Sequence, residues 1–494
     1  MKYLLGIDLG SSSIKIALIE KTSGKSIGIV QVPETEMSIE AIQKGWAEQD
    51  PEAWWNITCT GIKKIITQHN ISSESIEGIG IAYQMHGLVL IDKQGDLLRK
   101  AIIWCDSRAV EVGKNTYKKI GEKYCNEYLL NSPANFTVSK LAWVKENEPE
   151  LYEKTYKFML PGDYIAYRFS NKINTTVSGL SEGVFWDFKN DETSQVLLEH
   201  HGINKNLIPD IVETFSIQSH VSKKGAQESG LSEGTPILYR AGDQPNNALS
   251  LNVFNVGEVA TTGGTSGVMY AVTDSLSVKE CERVNNFVHV NYEKDQKRIG
   301  KLLCVNSAGI QYRWLLNNLD VDNYTEMNAL ASTIPVGSEG LVILPFGNGA
   351  ERMLSNKNIG TQILHLDLNR HHKGHLCRAA LEGIAFSFVY GFEIMRSDGV
   401  QPKVIRTGND NLFRSEIFSE TIAILIKSEI EIYDTTGAIG AARACTLIEK
   451  DFEKFSSFIK TDLINTITPK KNKEALIEAY GNWKHHLNLT LKQY

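Results

Sequence analysis

The chain has 494 residues, too many for one hydrophobic core, so its length predicts two large domains. Hydrophobic residues make up 42% of the chain and charged residues 22%, which is typical of a globular protein. The net charge of −6 and the lack of a basic stripe argue against nucleic-acid binding.

The sequence shows no targeting or membrane signal. The start, MKYLLGIDLG, holds too short an apolar run for a signal peptide, and Asp8 interrupts it. The sequence contains no run of 18 apolar residues, so no membrane span is expected. The seven cysteines are scattered without a CxxC pair, which is typical of a reduced protein with neither disulfides nor zinc. We therefore expect a cytoplasmic protein without a membrane partner.

A β-hairpin with a hydroxyl-rich tip is predicted for residues 3–20, because two apolar runs flank a turn that begins at Gly10. The tip offers backbone N–H groups and three hydroxyls that suit a phosphate, those of Ser11, Ser12 and Ser13. Asp8 lies just before the tip, where its carboxylate could hold a phosphate-bound Mg²⁺ directly or through water. The alternative is a plain hairpin with a polar tip.

Two stretches after this hairpin have the character of a polyol site. Residues 76–92 predict two strands joined at QMHG, where His86 either reaches a ligand or is a buried structural histidine. On an extended segment, Trp104, Asp106 and Arg108 would face the same way and line one wall. An exposed salt bridge between Asp106 and Arg108 is the alternative.

Residues 236–251 predict a buried strand, a Gly242–Asp243 turn and a helix with Pro245 in its first turn. A carboxylate at a helix N-terminus should stay ionised at neutral pH and can accept a proton. The sequence therefore indicates a catalytic Asp243, with an ordinary aspartate in a capped turn as the alternative.

The second half repeats the strand–tip–strand pattern at residues 257–272, and its tip carries Gly264, Thr265 and Ser266. This weak internal repeat suggests two related lobes that face each other around a polyphosphate. Residues 403–424 predict a strand, a turn over residues 408–411 (Gly408, Asn409, Asp410 and Asn411) and a helix, an arrangement that commonly meets a nucleotide. The small residues of 431–445 predict either tight helix packing or contact with a flat base.

Seven stretches, in this order, resemble the FGGY carbohydrate kinases: GIDLGSSSIK, YQMHG, WCDSR, AGDQPNNA, TTGGTSG, HLCRAALEG and GNDNLFRSEIFSET. The resemblance covers roughly residues 3–450. It implies an α/β fold of two ribonuclease-H-like lobes with a central cleft, as in actin-like ATPases. The expected domains are residues 1–246 on the sugar-binding side and residues 247–494 on the nucleotide-binding side.

The resemblance also implies an activity, the phosphorylation of a ketopentose, D-xylulose above all, by ATP with Mg²⁺. It implies these roles: Asp243 as general base, Met85 and His86 as sugar-binding pair, Trp104, Asp106 and Arg108 on a sugar-side strand, Asp8 in the first phosphate motif, Gly264 and Thr265 in the second, and Gly408 and Asn409 beside adenosine. A kinase for ribulose or gluconate, a non-catalytic actin- or chaperone-like ATPase, and a sugar-binding regulator are the alternatives. A homodimer is compatible with this prediction.

Overall fold

The computed structural model describes residues 1–410, 412–470 and 474–494, and its strands build two large sheets. The first sheet contains β1 (Tyr3–Leu9), β2 (Ile14–Glu20), β3 (Ser26–Val32), β4 (Ile76–Tyr83), β5 (Phe215–His220) and β6 (Pro236–Gly242). The second contains β7 (Glu258–Gly263), β8 (Gly267–Thr273), β9 (Asn285–Val288), β10 (Ile299–Val305), β11 (Val404–Gly408), β12 (Glu429–Tyr433) and β13 (Leu463–Ile467).

Short strands pair outside these sheets: Glu48–Gln49 with Ala101–Ile102, Val89–Ile91 with Lys157–Met159, Asn174–Thr176 with Asp210–Val212, Trp186–Asp187 with Glu192–Thr193, and Val342–Phe346 with Gly360–Leu364. The helices are α1 (Pro51–Gln68), α2 (Val110–Ile120), α3 (Thr137–Asn147), α4 (Pro149–Lys154), α5 (Pro161–Ser170), α6 (Val177–Glu182), α7 (Gln195–His201), α8 (Lys223–Ser229), α9 (Asp243–Ser250), α10 (Ala308–Asn318), α11 (Tyr324–Ser332), α12 (Lys373–Ser397), α13 (Glu416–Ile426), α14 (Gly437–Ala444), α15 (Phe452–Lys460) and α16 (Glu474–Leu491), with a short turn at Glu122–Tyr124. Within the described ranges, no helix is long and apolar enough to cross a bilayer.

The two sheets share one strand order. The first runs β3-β2-β1-β4-β6-β5, and the second runs β10-β8-β7-β11-β12-β13 with β9 added at the β10 edge. In each, an antiparallel hairpin comes first, and two parallel strands follow beside its first strand. The predicted internal repeat is therefore confirmed as a repeat of topology. Helix α9 connects the sheets, and the expected domain boundary at residues 246 and 247 falls within it.

Helix α14 lies between β12 and β13 of the second sheet in the chain but packs on β1 and β4 of the first. A Cβ atom on Gly6 would lie 1.9 Å from the Ala438 carbonyl oxygen, and one on Gly80 would lie 1.9 Å from that of Ala441. This approach is possible only because both strand residues lack a side chain. Of the two interpretations of residues 431–445, tight helix packing is the one that the structure shows.

Candidate active site

Strand β6 ends at Gly242 and helix α9 begins at Asp243, as predicted. A Cβ atom on Gly242 would lie 2.5 Å from Cγ of Met85, so Met85 packs directly beside the residue that precedes the candidate base. Burial, and then the charge of Asp8, raise the pKa of Asp243 to about 7. The expectation that Asp243 stays fully ionised at neutral pH is therefore wrong, because desolvation and a second carboxylate outweigh the helix dipole.

Asp8 lies at the end of β1, opposite Lys15 on β2. Burial raises the pKa of Asp8, although the charge of Lys15 acts to lower it. A Cβ atom on Gly437, the first residue of α14, would lie 2.6 Å from Oδ2 of Asp8. Asn246 of α9 donates from Nδ2 to the Gly437 carbonyl at 2.9 Å. The structure thus joins the ends of β1, α9 and α14 around two carboxylates, those of Asp8 and Asp243.

The tip of the first hairpin is a closed turn, in which the Gly10 N–H donates to the Ser13 carbonyl at 3.1 Å. Gln49 Nε2 donates to the Ser11 carbonyl at 2.7 Å and fixes the tip from one side. The Trp104 indole N–H lies 3.4 Å from the Ser11 hydroxyl, and this tryptophan is 51% exposed. Trp104 therefore lies beside the tip that is predicted to bind phosphate.

The second tip, residues 264–266, rests on the start of α10, because the N–H groups of Gly309 and Ile310 donate to its Gly264 and Thr265 carbonyls at 3.1 and 3.0 Å. At its base, the Gly263 N–H donates to Oδ2 of Asp410 at 2.6 Å. Burial raises the pKa of Asp410 to about 6.

Asp410 belongs to the turn after β11, so its carboxylate joins the second tip to the predicted adenosine loop. Among the described residues, a Cβ atom on Gly408 would meet no atom within 4 Å, so Gly408 borders space that these residues leave open. The Asn409 N–H donates to the Tyr433 carbonyl at 3.1 Å and continues the β11–β12 pairing. Asn411, the last residue of the predicted turn, lies outside the described residues.

His86 has a left-handed backbone with φ of 63° and makes hydrogen bonds on both sides. Its N–H donates to Glu182 Oε2 at 3.1 Å, and its Nδ1 lies 2.9 Å from the Glu182 carbonyl oxygen. Lys140 Nζ donates to the His86 carbonyl at 2.7 Å and to the Ile103 carbonyl at 3.0 Å. Burial lowers the pKa of His86 to about 3, so the imidazole is neutral at physiological pH.

The expectation that Trp104, Asp106 and Arg108 line one wall is wrong. Strand Ala101–Ile102 is only two residues long, and the chain then turns instead of continuing extended. Asp106 is fully buried, accepts from the Ala47 N–H at 2.6 Å and pairs with Arg108 Nη2 at 2.7 Å. The same Nη2 lies 2.7 Å from Glu48 Oε1. The salt bridge alternative is what the structure shows, although the pair is buried where an exposed one was expected.

Three residues that contact the candidate site were not predicted from the sequence as site residues: Glu182, Lys140 and Asp410. Lys140 lies on a largely buried face of α3, where a single lysine in an apolar stripe is a usable signal. Glu182 is 96 residues from His86 in the chain, and no local pattern indicates their contact.

Comparison with known proteins assigns the fold and the family. The FGGY family of carbohydrate kinases, N-terminal domain, matches residues 3–250, just over half of the chain. The xylulose kinase of Bacillus subtilis is 29% identical over 403 residues, which cover 81% of this chain and 78% of that protein. The probable L-xylulose kinase of Haemophilus influenzae is 28% identical over 504 residues, which cover 100% of this chain and 98% of that protein.

Solved structures share the fold along almost the whole chain. The xylulose kinase from Rhodospirillum rubrum has a TM-score of 0.88 at 21% identity, covering 100% of this chain and 99% of that one. The gluconate kinase from Lactobacillus acidophilus has a TM-score of 0.87 at 21% identity, with the same coverage. The expected α/β fold of two facing lobes is confirmed. Together with the sequence match, these findings show that the chain belongs to the FGGY family of carbohydrate kinases.

Proposed function

We propose that the protein transfers a phosphoryl group from MgATP to a primary hydroxyl of a ketopentose, converting D-xylulose to D-xylulose 5-phosphate. The observation that supports this proposal is the packing of Met85, one of the proposed sugar-binding pair, against Gly242, the residue before Asp243. Relatives named xylulose kinase, among them the Bacillus subtilis protein, support the choice of sugar.

In this proposal Asp243 is the general base. A pKa of about 7 lies close to the working pH, where a base is both largely available and able to hold a proton. Phosphoryl transfer has a loose transition state, so the main tasks of the protein are to orient the attacking hydroxyl and to neutralise charge. Asp243 orients the sugar hydroxyl and takes its proton as the hydroxyl oxygen bonds to the γ-phosphorus of ATP and the bond from that phosphorus to ADP, the leaving group, breaks.

The two tips hold the phosphates of ATP through backbone N–H groups and the hydroxyls of Ser11, Ser12, Ser13, Thr265 and Ser266, with Gly264 beside them. The carboxylate oxygens of Asp8 fit Mg²⁺, held directly or through water. The described residues form no cluster of three or more His, Cys, Asp or Glu that could hold a metal ion, so such an ion would complete its shell with water and phosphate oxygens. When bound, Mg²⁺ supplies charge neutralisation at the phosphates. Adenosine lies beside Gly408 and Asn409 in this proposal, which is supported by the space that the described residues leave open at Gly408.

On the sugar side, Met85 provides an apolar wall and His86 a hydrogen-bonding group. Asp106 and Arg108 act from behind this surface, since their polar atoms bond mainly to each other, to Ala47 and to Glu48. Trp104 closes the cleft near the first phosphate tip.

A second candidate substrate is L-xylulose, which the name of the Haemophilus influenzae relative indicates. An ADP-release assay with D-xylulose, L-xylulose, D-ribulose, gluconate and glycerol tests both. We expect the highest kcat/KM for D-xylulose and a clear preference over glycerol, because buried polar groups left unpaired penalise an analogue that lacks a hydroxyl. A higher kcat/KM for L-xylulose than for D-xylulose would show that the L enantiomer is the preferred substrate. A higher value for D-ribulose or gluconate would overturn the substrate, and no turnover of any sugar would overturn the proposed function.

A further inference from the structure

We propose that Glu182 and Lys140 are positioning residues that hold His86 in one backbone conformation and one ring tautomer, so that its Nε2 accepts a hydrogen bond from a sugar hydroxyl. The inference rests on the proposed function for the identity of the ligand. The arrangement of the three residues is a property of the free protein and can be tested without substrate.

The ring tautomer follows from the partner of Nδ1. A backbone carbonyl oxygen can only accept a hydrogen bond, so the 2.9 Å contact from Nδ1 to the Glu182 carbonyl requires the proton on Nδ1. A neutral imidazole carries one proton, which leaves Nε2 as an acceptor. Within the described part of the chain Nε2 has no hydrogen-bond partner, while edge and tilted contacts with Phe136 and Phe287 fix the ring plane.

The backbone of His86 is held against an intrinsic cost. A left-handed conformation at a residue other than glycine costs on the order of 1–3 kcal/mol and persists only where the surroundings impose it. Here buried side chains bind both backbone polar groups of His86. Glu182 Oε2 accepts from its N–H, and Lys140 Nζ donates to its carbonyl. Removing either side chain releases one side of this clamp.

Glu182 also reaches toward the candidate base. A Cβ atom on Gly242 would lie 3.5 Å from Glu182 Oε2, so the carboxyl group touches the residue just before Asp243. Burial raises the pKa of Glu182 well above its usual value, and the charge of Asp243 raises it further. A neutral Glu182 still accepts from the His86 N–H and adds no negative charge beside Asp243.

Lys140 connects the two sugar-side segments. Its Nζ bridges the carbonyls of His86 and Ile103, and Ile103 begins the turn that leads to Asp106. Burial lowers the pKa of Lys140 to about 7. By bridging these two carbonyls, the lysine fixes the position of the His86 segment relative to the Ile103 segment. In this inference its effect on the sugar passes through His86.

The kinetic test compares Glu182→Ala, Glu182→Gln and Lys140→Met, with Glu233→Ala at an exposed site as the matched control. We expect Glu182→Ala to lower kcat/KM for the sugar by about tenfold or more and to leave KM for ATP within about twofold. Glu182→Gln should lose less than about fivefold, because its amide oxygen still accepts from the His86 N–H. Lys140→Met should resemble Glu182→Ala. Equal losses in KM for ATP and for sugar would overturn the proposal.

A double-mutant cycle shows whether Glu182 acts through His86. Added to His86→Ala, the Glu182→Ala change should cost less than about threefold, because the group that it positions is already gone. An undiminished loss in that background would overturn the positioning role.

A measurement on the free enzyme separates this inference from the proposed function. Nitrogen-15 NMR of histidine-labelled protein, with the His86 signals assigned by their loss in His86→Ala, should report the Nδ1–H tautomer and no protonation of the ring down to pH 5. An Nε2–H tautomer, or a ring that titrates near pH 6.5, would overturn the inference whatever sugar the enzyme uses. This measurement needs only the wild-type fold and His86→Ala, so it decides the question even if Glu182→Ala fails to fold.

Discussion

At Asp243, burial both weakens the charge of the carboxylate and suits it to its proposed task. Desolvation and the nearby Asp8 carboxylate raise its pKa to about 7, and the surrounding fold must bear the cost of an ionised group there. Perturbed carboxyls of this kind concentrate in active sites, where function and stability conflict.

The change Asp243→Asn keeps the shape of the side chain and removes the base. We expect a kcat loss on the order of 10²-fold or more, with sugar binding by calorimetry largely kept. The melting temperature at pH 8 should rise, because a buried charge and its repulsion with Asp8 disappear. The exposed Asp210→Asn serves as control and should alter neither quantity. Turnover near the wild-type rate in Asp243→Asn would contradict the assignment.

The same pKa predicts a pH dependence. Protonated Asp243 cannot accept a proton, so kcat/KM for the sugar should fall as pH drops below about 7, approaching tenfold per pH unit. Above that pH the carboxylate is ionised and this dependence should level off. The acidic limb should be absent from the residual activity of Asp243→Asn. A wild-type profile that stays flat from pH 8 to pH 5 would show that a different group is the base.

The sequence predicted Asp243 because its signal is local: an apolar run, a glycine and a helix start lie within a few residues. Glu182 could not be predicted, since its contact with His86 spans 96 residues of chain and leaves no periodic pattern. Lys140 is marked locally as a single lysine in an apolar stripe, but its contact with His86, 54 residues away, is not. Asp106 and Arg108 were predicted to line the sugar side, but their burial against Glu48 depends on tertiary packing that the local sequence does not show.

Among the elements, α14 depends most on the absence of side chains beneath it. Gly80→Ala would place a Cβ atom 1.9 Å from the Ala441 carbonyl, and rigid backbone cannot yield as a side chain would. We expect a loss of unfolding free energy of about 1–3 kcal/mol or more, measured by urea denaturation. The matched control is Gly481→Ala on α16, where a Cβ meets no atom within 4 Å. It should stabilise the protein by about 0.5–1 kcal/mol, and destabilisation of similar size in both variants would contradict the packing argument.

At Gly408, at the end of β11, the space around an added Cβ atom tests ligand binding, whereas at Gly80 it tests packing. Because a Cβ atom there meets no atom of the described residues within 4 Å, we expect Gly408→Val to fold normally and its effect to report on a bound ligand. We expect KM for ATP to rise by about tenfold or more and KM for the sugar to change by less than about twofold, with Gly408→Ala intermediate. Equal changes in both KM values would place adenosine elsewhere.

The hairpins and the strand–turn–helix units were predictable because period-two runs and glycine turns define them locally. The turn at residues 103–107 was not, because the apolar start of WCDSR reads as a strand. The N–H groups of Ile103 and Ser107 instead donate to the carbonyls of Ala47 and Gly45, contacts that no local pattern encodes.

For the whole molecule, the shared strand order explains how one chain builds two facing lobes. The weak sequence repeat indicated the two hairpins, but it gave no sign that α14 returns to the first sheet. That return depends on Gly6 and Gly80, which look like ordinary strand glycines in the sequence. It also means that the chain crosses between the sheets three times, through residues 251–257 after α9, residues 434–436 before α14 and residues 445–462 between α14 and β13.

These three crossings are where a relative motion of the lobes would bend the chain. Helix α14 packs on the first sheet and should move with it, whereas α9 contacts α14 and strands of both sheets and therefore lies between the two moving parts. A kinase must open to admit sugar and close to exclude water from the transferring phosphate. We therefore expect sugar plus a non-hydrolysable ATP analogue to lower the radius of gyration measured by small-angle X-ray scattering, with sugar alone giving a smaller change. Asp243→Asn should compact in the same way, because it removes the base and keeps the binding surfaces. A radius of gyration that stays constant at saturation with both ligands would show that the lobes are already closed.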